Sequence, residues 1–107
     1  MPRETLGDLE HHLLLAILRL GGEAYSVELV RELESRTGRE VAQAAVFIVL
    51  QRLEGKALLR SRLEETRGRR VRRYFALTPA AVERLRESRH ALLRLWEGVD
   101  SLLDRTT

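Results

Sequence analysis

Apolar residues recur three and four positions apart in three successive segments of the first half of the chain. The first segment covers about residues 6–20, and its centre LLLAIL, residues 13–18, is apolar on every side. The second covers about residues 26–37 and the third about residues 42–54. These intervals predict three helices. Only the turn GREV separates the last two, and so short a connection containing a glycine is typical of a helix-turn-helix.

The hydrophobic period changes to two after the third helix. Apolar and polar residues alternate over LLRSRL, residues 58–63, and again over VRRYFAL, residues 71–77, with the polar turn TRGR between them. This alternation predicts a two-stranded hairpin with one face on the core. The residues predicted to face the core are Leu59, Ser61, Leu63, Val71, Phe75 and Leu77.

A last helix is predicted from Pro79 to about Leu103. Thr78 is suited to its N-cap and Pro79 to its first position, and Thr5 with Asp8 forms a comparable start for the first helix. A helix of this length, about 37 Å at 1.5 Å per residue, extends beyond a small domain and needs a partner. Its apolar seam at alternating spacings of three and four consists of Val82, Leu85, Arg89, Leu92, Trp96, Val99 and Leu103.

Together these elements predict a mainly helical α+β fold, a winged helix-turn-helix with a two-stranded wing and a long C-terminal dimerisation helix. We place the winged helix-turn-helix domain at residues 1–78 and the dimerisation helix at residues 79–107. The first helix also indicates dimerisation. A helix on the outside of a monomer shows one apolar stripe, whereas the segment LLLAIL has apolar side chains on all sides and must be buried on two of them. In a chain of 107 residues a homodimer provides that cover most simply.

Composition excludes several classes of protein. The chain has no cysteine, so neither disulfides nor thiolate metal sites hold it together. No apolar run approaches the roughly 20 residues of a membrane span. The start MPRETLGDLE lacks the basic-then-apolar layout of a signal peptide. We therefore expect a cytoplasmic location and no membrane partner.

Positive charge is concentrated in one stretch of the chain. Residues 39–73 contain ten basic and four acidic side chains, whereas the rest contains nine basic and twelve acidic ones. The planar fork of arginine suits phosphate oxygens, and the arginines of RGRRVRR, residues 67–73, indicate an anionic partner. Such a run alone is more often solvated surface. On a hairpin that follows a helix-turn-helix, it points to the backbone of double-stranded DNA.

The residues predicted to contact DNA fall into two groups. Gln43 lies near the start of the third helix, where side chains meet base edges, and its amide can pair with adenine. The hairpin arginines can straddle a backbone or enter a narrow minor groove, and Gly68 lets the hairpin tip turn. The full set is Thr37, Arg39, Gln43, Gln51, Arg67, Gly68, Arg69, Arg70 and Arg72.

Nothing in the sequence indicates an enzyme. His11 and His12 are adjacent and point in different directions on a helix, and His90 has no carboxylate and histidine cluster near it in the sequence. A metal site needs three or four converging ligands, and neither a glycine-rich phosphate loop nor a nucleophile motif occurs. We predict no catalytic residue, no metal and no cofactor.

The sequence resembles the PadR-like transcriptional regulators over nearly its whole length. The resemblance rests on LGDLEHHLLLAIL, EAYSVELVRELESRTGREV, AAVFIVLQRLEGKALL and RGRRVRRYFALTPAA, in that order and spacing. It implies a homodimeric DNA-binding repressor of the compact subgroup with a short final helix. In that subgroup the last helix of one subunit packs against the first helix of the other.

The resemblance also implies a site at the dimer interface for a small aromatic or apolar effector. The residues assigned to this interface are Leu13, Ile17, Leu85, Arg89, Leu92, Trp96, Val99 and Leu103. Trp96 has two interpretations, a packed interface residue or a wall of the effector site.

The third helix departs from the family pattern. The family usually has a hydroxyl residue at Ala42, tyrosine at Phe47 and glycine at Ala57, and small hydroxyl residues are common at Ile48 and Val49. Few polar groups remain on this helix to read bases. The alternative function is therefore a winged-helix dimerisation or adaptor module that binds protein partners without sequence-specific DNA reading.

Overall fold

The computed structural model describes residues 6–68 and 70–106. Thr5 and Arg69, to which the sequence assigns a helix cap and a DNA contact, lie outside these residues. The described part contains five helices and one antiparallel sheet of three strands, which matches the predicted α+β architecture. In chain order the elements are α1 (Asp8–Arg19), β1 (Glu23–Tyr25), α2 (Ser26–Thr37), α3 (Gln43–Gly55), β2 (Leu59–Glu65), β3 (Val71–Leu77), α4 (Pro79–Trp96) and α5 (Asp100–Arg105).

Local sequence signals define the ends of the first helices. At the start of α1 the Gly7 amide donates to Oε1 of Glu10 at 3.0 Å, so the acidic side chain satisfies a backbone donor that the helix leaves free. α2 ends at Gly38, whose N–H donates to the carbonyl of Glu34 at 2.9 Å. Only residues 38–42 separate α2 from α3. The short turn predicted for the helix-turn-helix is therefore confirmed.

The start of α4 also lies where the sequence predicts it. The hydroxyl of Thr78 accepts from the amide of Ala81 at 3.2 Å and donates to the carbonyl of Ala57 at 2.8 Å. Pro79 occupies the first helical position, where the missing N–H costs no hydrogen bond. Thr78 thus caps α4 and ties its start to the end of α3.

The sheet contains one strand more than predicted. Its order is β1-β3-β2, both pairings are antiparallel, and Phe75 of the central strand pairs with Ala24 on one side and Ser61 on the other. β1 is only three residues long, too short to show an alternating pattern of its own. It exists because β3 offers it a free edge, so pairing and not local pattern creates this strand.

The core lies between the three N-terminal helices and the sheet. Leu13 and Ile17 of α1 are completely buried in it, and these two residues were assigned to the dimer interface on sequence grounds. That assignment is wrong, because α2 and α3 of the same protomer already cover this face of α1. The face of α1 that remains open carries Leu15 and Leu18, which are 45% and 50% exposed.

The hairpin extends beyond the core, contrary to the prediction for its outer half. Phe75 and Leu59 are buried, but Leu63 and Val71 are 60% and 61% exposed. All four residues lie on one face of the sheet, as the register Leu59↔Leu77, Leu63↔Arg73 requires. The helices reach only the inner half of this face. The outer half therefore projects as a wing with two exposed aliphatic residues.

The C-terminal segment is two helices and not one. α4 ends at Trp96, Gly98 adopts a left-handed backbone with φ +79°, and α5 begins at Asp100. A residue in this conformation interrupts a right-handed helix, and glycine adopts it without steric cost. The prediction of a continuous helix to Leu103 is wrong for this reason. α4 alone, with 18 residues, is about 27 Å long.

α4 contributes to the core only through its first turns. Ala81 and Leu85 are buried against the N-terminal elements, whereas every residue from Arg89 to Thr106 is exposed. The predicted domain division between residues 78 and 79 stays a prediction, since the first turns of α4 share the core. In the described part of the chain, no helix combines the length and the apolar character needed to cross a membrane.

Candidate nucleic-acid interface

α3 presents a distinct outer face. Val46, Val49, Leu50 and Leu53 bury one side of the helix in the core. The opposite side is open, and its exposed residues include Gln43, Ala44, Phe47, Ile48, Gln51 and Arg52. The first turn of α3 contains no acidic residue, so the partial positive charge of the helix N-terminus is left available to an anion. Gln43 lies in this turn, and Gln51 lies two turns further along.

The turn residues predicted to contact DNA have different surroundings. Arg39 is exposed in the connection that leads into α3. The hydroxyl of Thr37 donates to the carbonyl of Leu33 at 2.8 Å and accepts from the Arg39 amide at 3.3 Å. Thr37 also lines a shallow groove between α1 and α2 with His12. The Thr37 hydroxyl is thus engaged at the end of α2, whereas the Arg39 side chain is exposed in the turn before α3.

The wing tip is closed by hydrogen bonds. The amide and the hydroxyl of Thr66 donate to the carbonyl of Arg70 at 2.7 and 2.8 Å. Gly68 has φ +87°, a left-handed conformation that a side chain would strain, as predicted for a residue that lets the tip turn. Arg67 and Arg70 flank it and are exposed. The tip is therefore a short, hydrogen-bonded turn that holds arginines outward.

Cation–π contacts join the outer face of the wing to β1. The guanidinium of Arg72 lies 4.4 Å from the ring centre of Tyr25, and that of Arg62 lies 4.7 Å from the ring centre of Tyr74. The two tyrosine rings meet edge to face at 5.5 Å. Arg62 also forms two hydrogen bonds with the Glu23 carboxylate, at 3.0 and 2.6 Å, and these lower the pKa of Glu23. The contacts restrict the orientation of the wing.

None of these partners of the wing arginines was predicted as a site residue. Arg72 was predicted to contact DNA. In the structure its guanidinium also stacks on the ring of Tyr25 in β1. The alternation of arginine and tyrosine on the outer face of β3 is the only hint in the sequence. It could not reveal Tyr25, because β1 is far from β3 in sequence and adjacent only in the sheet.

A basic cleft separates the wing from α2 and α3. Its volume is about 680 Å³, and four arginines line it, two of which, Arg31 of α2 and Arg73 of β3, were not among the predicted site residues. Arg70 and Arg72 are the other two. Arg73 is held by a hydrogen bond of 3.0 Å from its guanidinium to the Ser61 hydroxyl. Arginines from α2 and from the wing therefore lie together beside α3. Several positive charges in one concave surface strengthen the positive electrostatic potential there.

A second exposed surface is apolar and involves α1, α4 and α5. A groove of about 480 Å³ runs between α1 and α4, and Leu15, Leu18, Leu85 and Leu92 are among its walls. Leu85, predicted as an interface residue, is nearly buried and forms part of this groove. The predicted residues Arg89, Leu92, Trp96, Val99 and Leu103 are exposed. Leu93 and Leu95 of α4 and Leu102 of α5 are exposed as well.

The chain matches the family model described as the transcriptional regulator PadR-like family over residues 14–87. No curated protein matches it in sequence. Among solved structures it is similar to a PadR family transcriptional regulator from Eggerthella lenta, with 28% identity, a TM-score of 0.68 and coverage of 88% of this chain and 82% of that one.

Two further structures share the fold. A PadR-like transcriptional regulator from Bacillus cereus has 23% identity, a TM-score of 0.75 and coverage of 92% and 93% of the two chains. A winged-helix DNA-binding protein from STIV has 15% identity, a TM-score of 0.67 and coverage of 83% and 91%. The family consists of transcriptional regulators and not of enzymes, in agreement with the sequence prediction. The winged helix-turn-helix with its exposed α3 and basic wing is thus that of a transcriptional regulator, and the chain belongs to the PadR-like family.

Proposed function

We propose that the protein is a homodimeric repressor that binds double-stranded DNA through α3 and the wing. The basic cleft between these elements carries the proposal. Four arginines from two elements converge on one concave surface of about 680 Å³, and the exposed face of α3 borders it. A duplex that places its major groove on α3 would run its phosphate backbone along this cleft, where each arginine contact releases counterions.

The dependence of DNA affinity on salt tests this proposal. We expect the protein to protect a site in the DNA that flanks its own gene, and affinity to fall steeply as salt rises. Replacing both exposed tip arginines, Arg67→Ala and Arg70→Ala, should lower the slope of log affinity against log salt by about 1.8, or about 0.9 per phosphate contact.

Arg94→Ala with Arg105→Ala is the matched control for the salt experiment. It removes the same two charges from the exposed surfaces of α4 and α5, and it should leave the slope unchanged. An equal effect of this control would show that net charge alone attracts DNA. Complete absence of DNA binding, together with recovery of a protein partner, would instead support the adaptor function.

Dimerisation is supported by the apolar surface of α1, α4 and α5. An apolar groove with exposed leucines on both sides marks an interaction site, and a twofold dimer would place α4 of one protomer against the open face of α1 in the other. Leu92→Glu with Leu95→Glu places two charges on that surface. Sedimentation velocity should show a dimer for the unaltered chain and a monomer for the double variant.

Regulation by a small ligand is the third part of the proposal. Trp96 is the chain's only tryptophan and is exposed on the apolar surface, where a flat aromatic molecule could stack on it between paired C-terminal helices. Such a ligand would change the spacing of the two DNA-reading heads, a shift between two states. We expect at least one compound of an aromatic panel to quench Trp96 fluorescence. Unchanged emission across the panel would leave Trp96 as a packing residue.

Repression itself is tested by transcription from the protein's own promoter in vitro. Transcript levels should fall when the protein is added and recover with a compound that quenches Trp96. A rise in transcript on addition of the protein would identify an activator.

A further inference from the structure

The centre of the α3 outer face is aliphatic. Ile48 is 56% exposed there, the most exposed large apolar residue of the helix-turn-helix. Ala44 and Gln51 lie four positions before it and three after it, so the three side chains form one stripe. Phe47 lies beside the stripe and is held by an edge contact with Phe75, with ring centres 6.4 Å apart. Exposed aliphatic surface of this kind marks a site that binds another molecule.

The chemistry of this face limits which bases it can read. In the major groove, guanine is read by Arg or Lys, cytosine by Asp or Glu, adenine by Asn or Gln, and the thymine methyl by an apolar side chain. The outer face has two glutamines, Gln43 and Gln51, beside the apolar Ala44, Phe47 and Ile48, and its one exposed charged residue is Arg52. It therefore has partners for adenine and for the thymine methyl.

The two charged residues inside α3 are directed elsewhere. The carboxylate of Glu54 accepts a hydrogen bond of 2.5 Å from the Ser61 hydroxyl. Arg52 is exposed four positions after Ile48, and its charge helps to lower the pKa of the Glu10 carboxyl on α1. The Glu54 carboxylate and the Arg52 guanidinium thus both interact with groups outside α3.

The aliphatic face is continuous with the basic cleft. Phe47 lines the cleft together with Arg31 and Arg70, so a molecule that lies on Ile48 also lies beside several positive charges. A protein partner with an apolar surface would not need those charges, whereas a duplex offers methyl groups and phosphates together.

We propose that Ile48 reads thymine methyl groups in the major groove, with Gln43 and Gln51 on neighbouring adenines, so that each half-site has an A·T-rich centre. This inference rests on the proposed DNA-binding function. It makes Ile48 a specificity-determining residue, at a position where the family commonly has a small hydroxyl residue.

Replacement of thymine by uracil tests the proposal, because the two bases differ in the major groove only by the methyl group. Duplexes selected by the protein from a random pool would be synthesised with thymine or with uracil in the half-sites. We expect each methyl in contact with Ile48 to contribute about fourfold in affinity, or about 0.8 kcal/mol. The Ile48→Ala variant should bind more weakly and should not distinguish uracil from thymine.

Leu63→Ala is the matched control. Leu63 is 60% exposed on the wing, similar to Ile48, and this variant should keep the preference for thymine. Circular dichroism of both variants would verify folding, which exposed positions leave intact.

The outcomes separate the inference from the proposed function. Selected duplexes with G·C-rich half-sites, equal affinity for uracil and thymine duplexes, or an undiminished uracil effect in Ile48→Ala would each overturn the inference while DNA binding stands. Failure of the pool to yield any bound duplex would overturn the proposed function and the inference with it.

Discussion

At the scale of single residues, the contact between Glu10 and Lys56 connects the start of α1 to the end of α3. The Lys56 ammonium lies 2.9 Å from the Glu10 carboxylate, across 46 positions of sequence. Burial opposes ionisation of Glu10, but hydrogen bonds from Lys56 and the Gly7 amide, with the charges of Lys56 and Arg52, outweigh it and lower the pKa of Glu10. One carboxylate thus caps a helix and joins two elements of the core.

Glu10→Gln should lower the free energy of unfolding by about 1–2 kcal/mol at pH 7, since the side chain is nearly buried and loses its charged partner. A folded pKa below the ordinary value of 4.5 means that this stabilisation is complete above pH 4.5 and is lost as pH falls through the folded pKa. Urea unfolding at several pH values should therefore show the two proteins converging in acid.

Glu83→Gln is the control for the pH experiment. Glu83 pairs with Arg86 on the exposed surface of α4 at 3.6 Å, and surface pairs of this kind contribute at most about 1 kcal/mol. A difference at pH 7 no larger for Glu10→Gln than for Glu83→Gln would contradict the role assigned to Glu10.

Ala57 is a second residue whose backbone conformation affects the stability of the fold. It has φ +61°, the only left-handed non-glycine residue in the described part. Its N–H donates to the Glu54 carbonyl at 2.9 Å, and the next amide, of Leu58, donates to the Leu53 carbonyl at 3.0 Å. This is a Schellman end of α3, in which glycine is favoured at the position of Ala57.

Ala57→Gly should raise the free energy of unfolding by about 0.5 kcal/mol. Relief of about 1–2 kcal/mol of left-handed strain exceeds the added flexibility of the unfolded chain, about 0.4–1 kcal/mol. Ala91→Gly, the same change on an exposed position within α4, should instead cost about 1 kcal/mol. Equal destabilisation by both changes in urea titrations would contradict the strain at Ala57.

At the scale of elements, β3 is divided between core and solvent. Phe75 is completely buried in the core, and Val71 lies four residues earlier on the same face with 61% exposure. The inner half of the hairpin therefore stabilises the fold, while the outer half is free to meet a ligand.

Phe75→Ala should cost about 3–5 kcal/mol, the range for removing a buried aromatic ring. Val71→Thr should change stability by no more than about 0.5 kcal/mol, as for other exposed positions. Chemical denaturation of both variants measures these values. A large loss for Val71→Thr would show that the outer wing is packed.

The elements also show how far the sequence alone reaches. Thr78 and Pro79 predict the start of α4, because capping depends on adjacent residues. The break at Gly98 was missed, since glycine within a helical pattern is often tolerated and its φ depends on what surrounds it. β1 was missed because three residues carry too little pattern, and only the edge of β3 makes them a strand.

At the scale of the whole molecule, the basic cleft and the apolar groove are lined by different elements. The cleft with its four arginines lies between the wing and α2 and α3. Trp96 and most of the exposed leucines lie on α1, α4 and α5. This separation would let a dimer form without covering the proposed DNA surface.

The thermal unfolding midpoint should rise with protein concentration, because association stabilises the folded chain by mass action. In the Leu92→Glu, Leu95→Glu double variant the midpoint should not depend on concentration. Leu63→Glu places a charge on an exposed leucine of the wing and should keep the dependence. Calorimetry over a hundredfold range of concentration would check all three, and a constant midpoint for the unaltered chain would contradict dimerisation.

The sequence by itself determined the order of the helices and the hairpin, the helix-turn-helix and the stretch of excess positive charge, because periodicity, caps and composition are local properties. Only the tertiary structure decided which face of α1 is buried, that Leu13 and Ile17 belong to the core, and that Glu10 meets Lys56. It also brought Tyr25 under Arg72 and placed Arg31 opposite the wing. These contacts join residues far apart in sequence, and packing alone selects among the many pairs that local pattern permits.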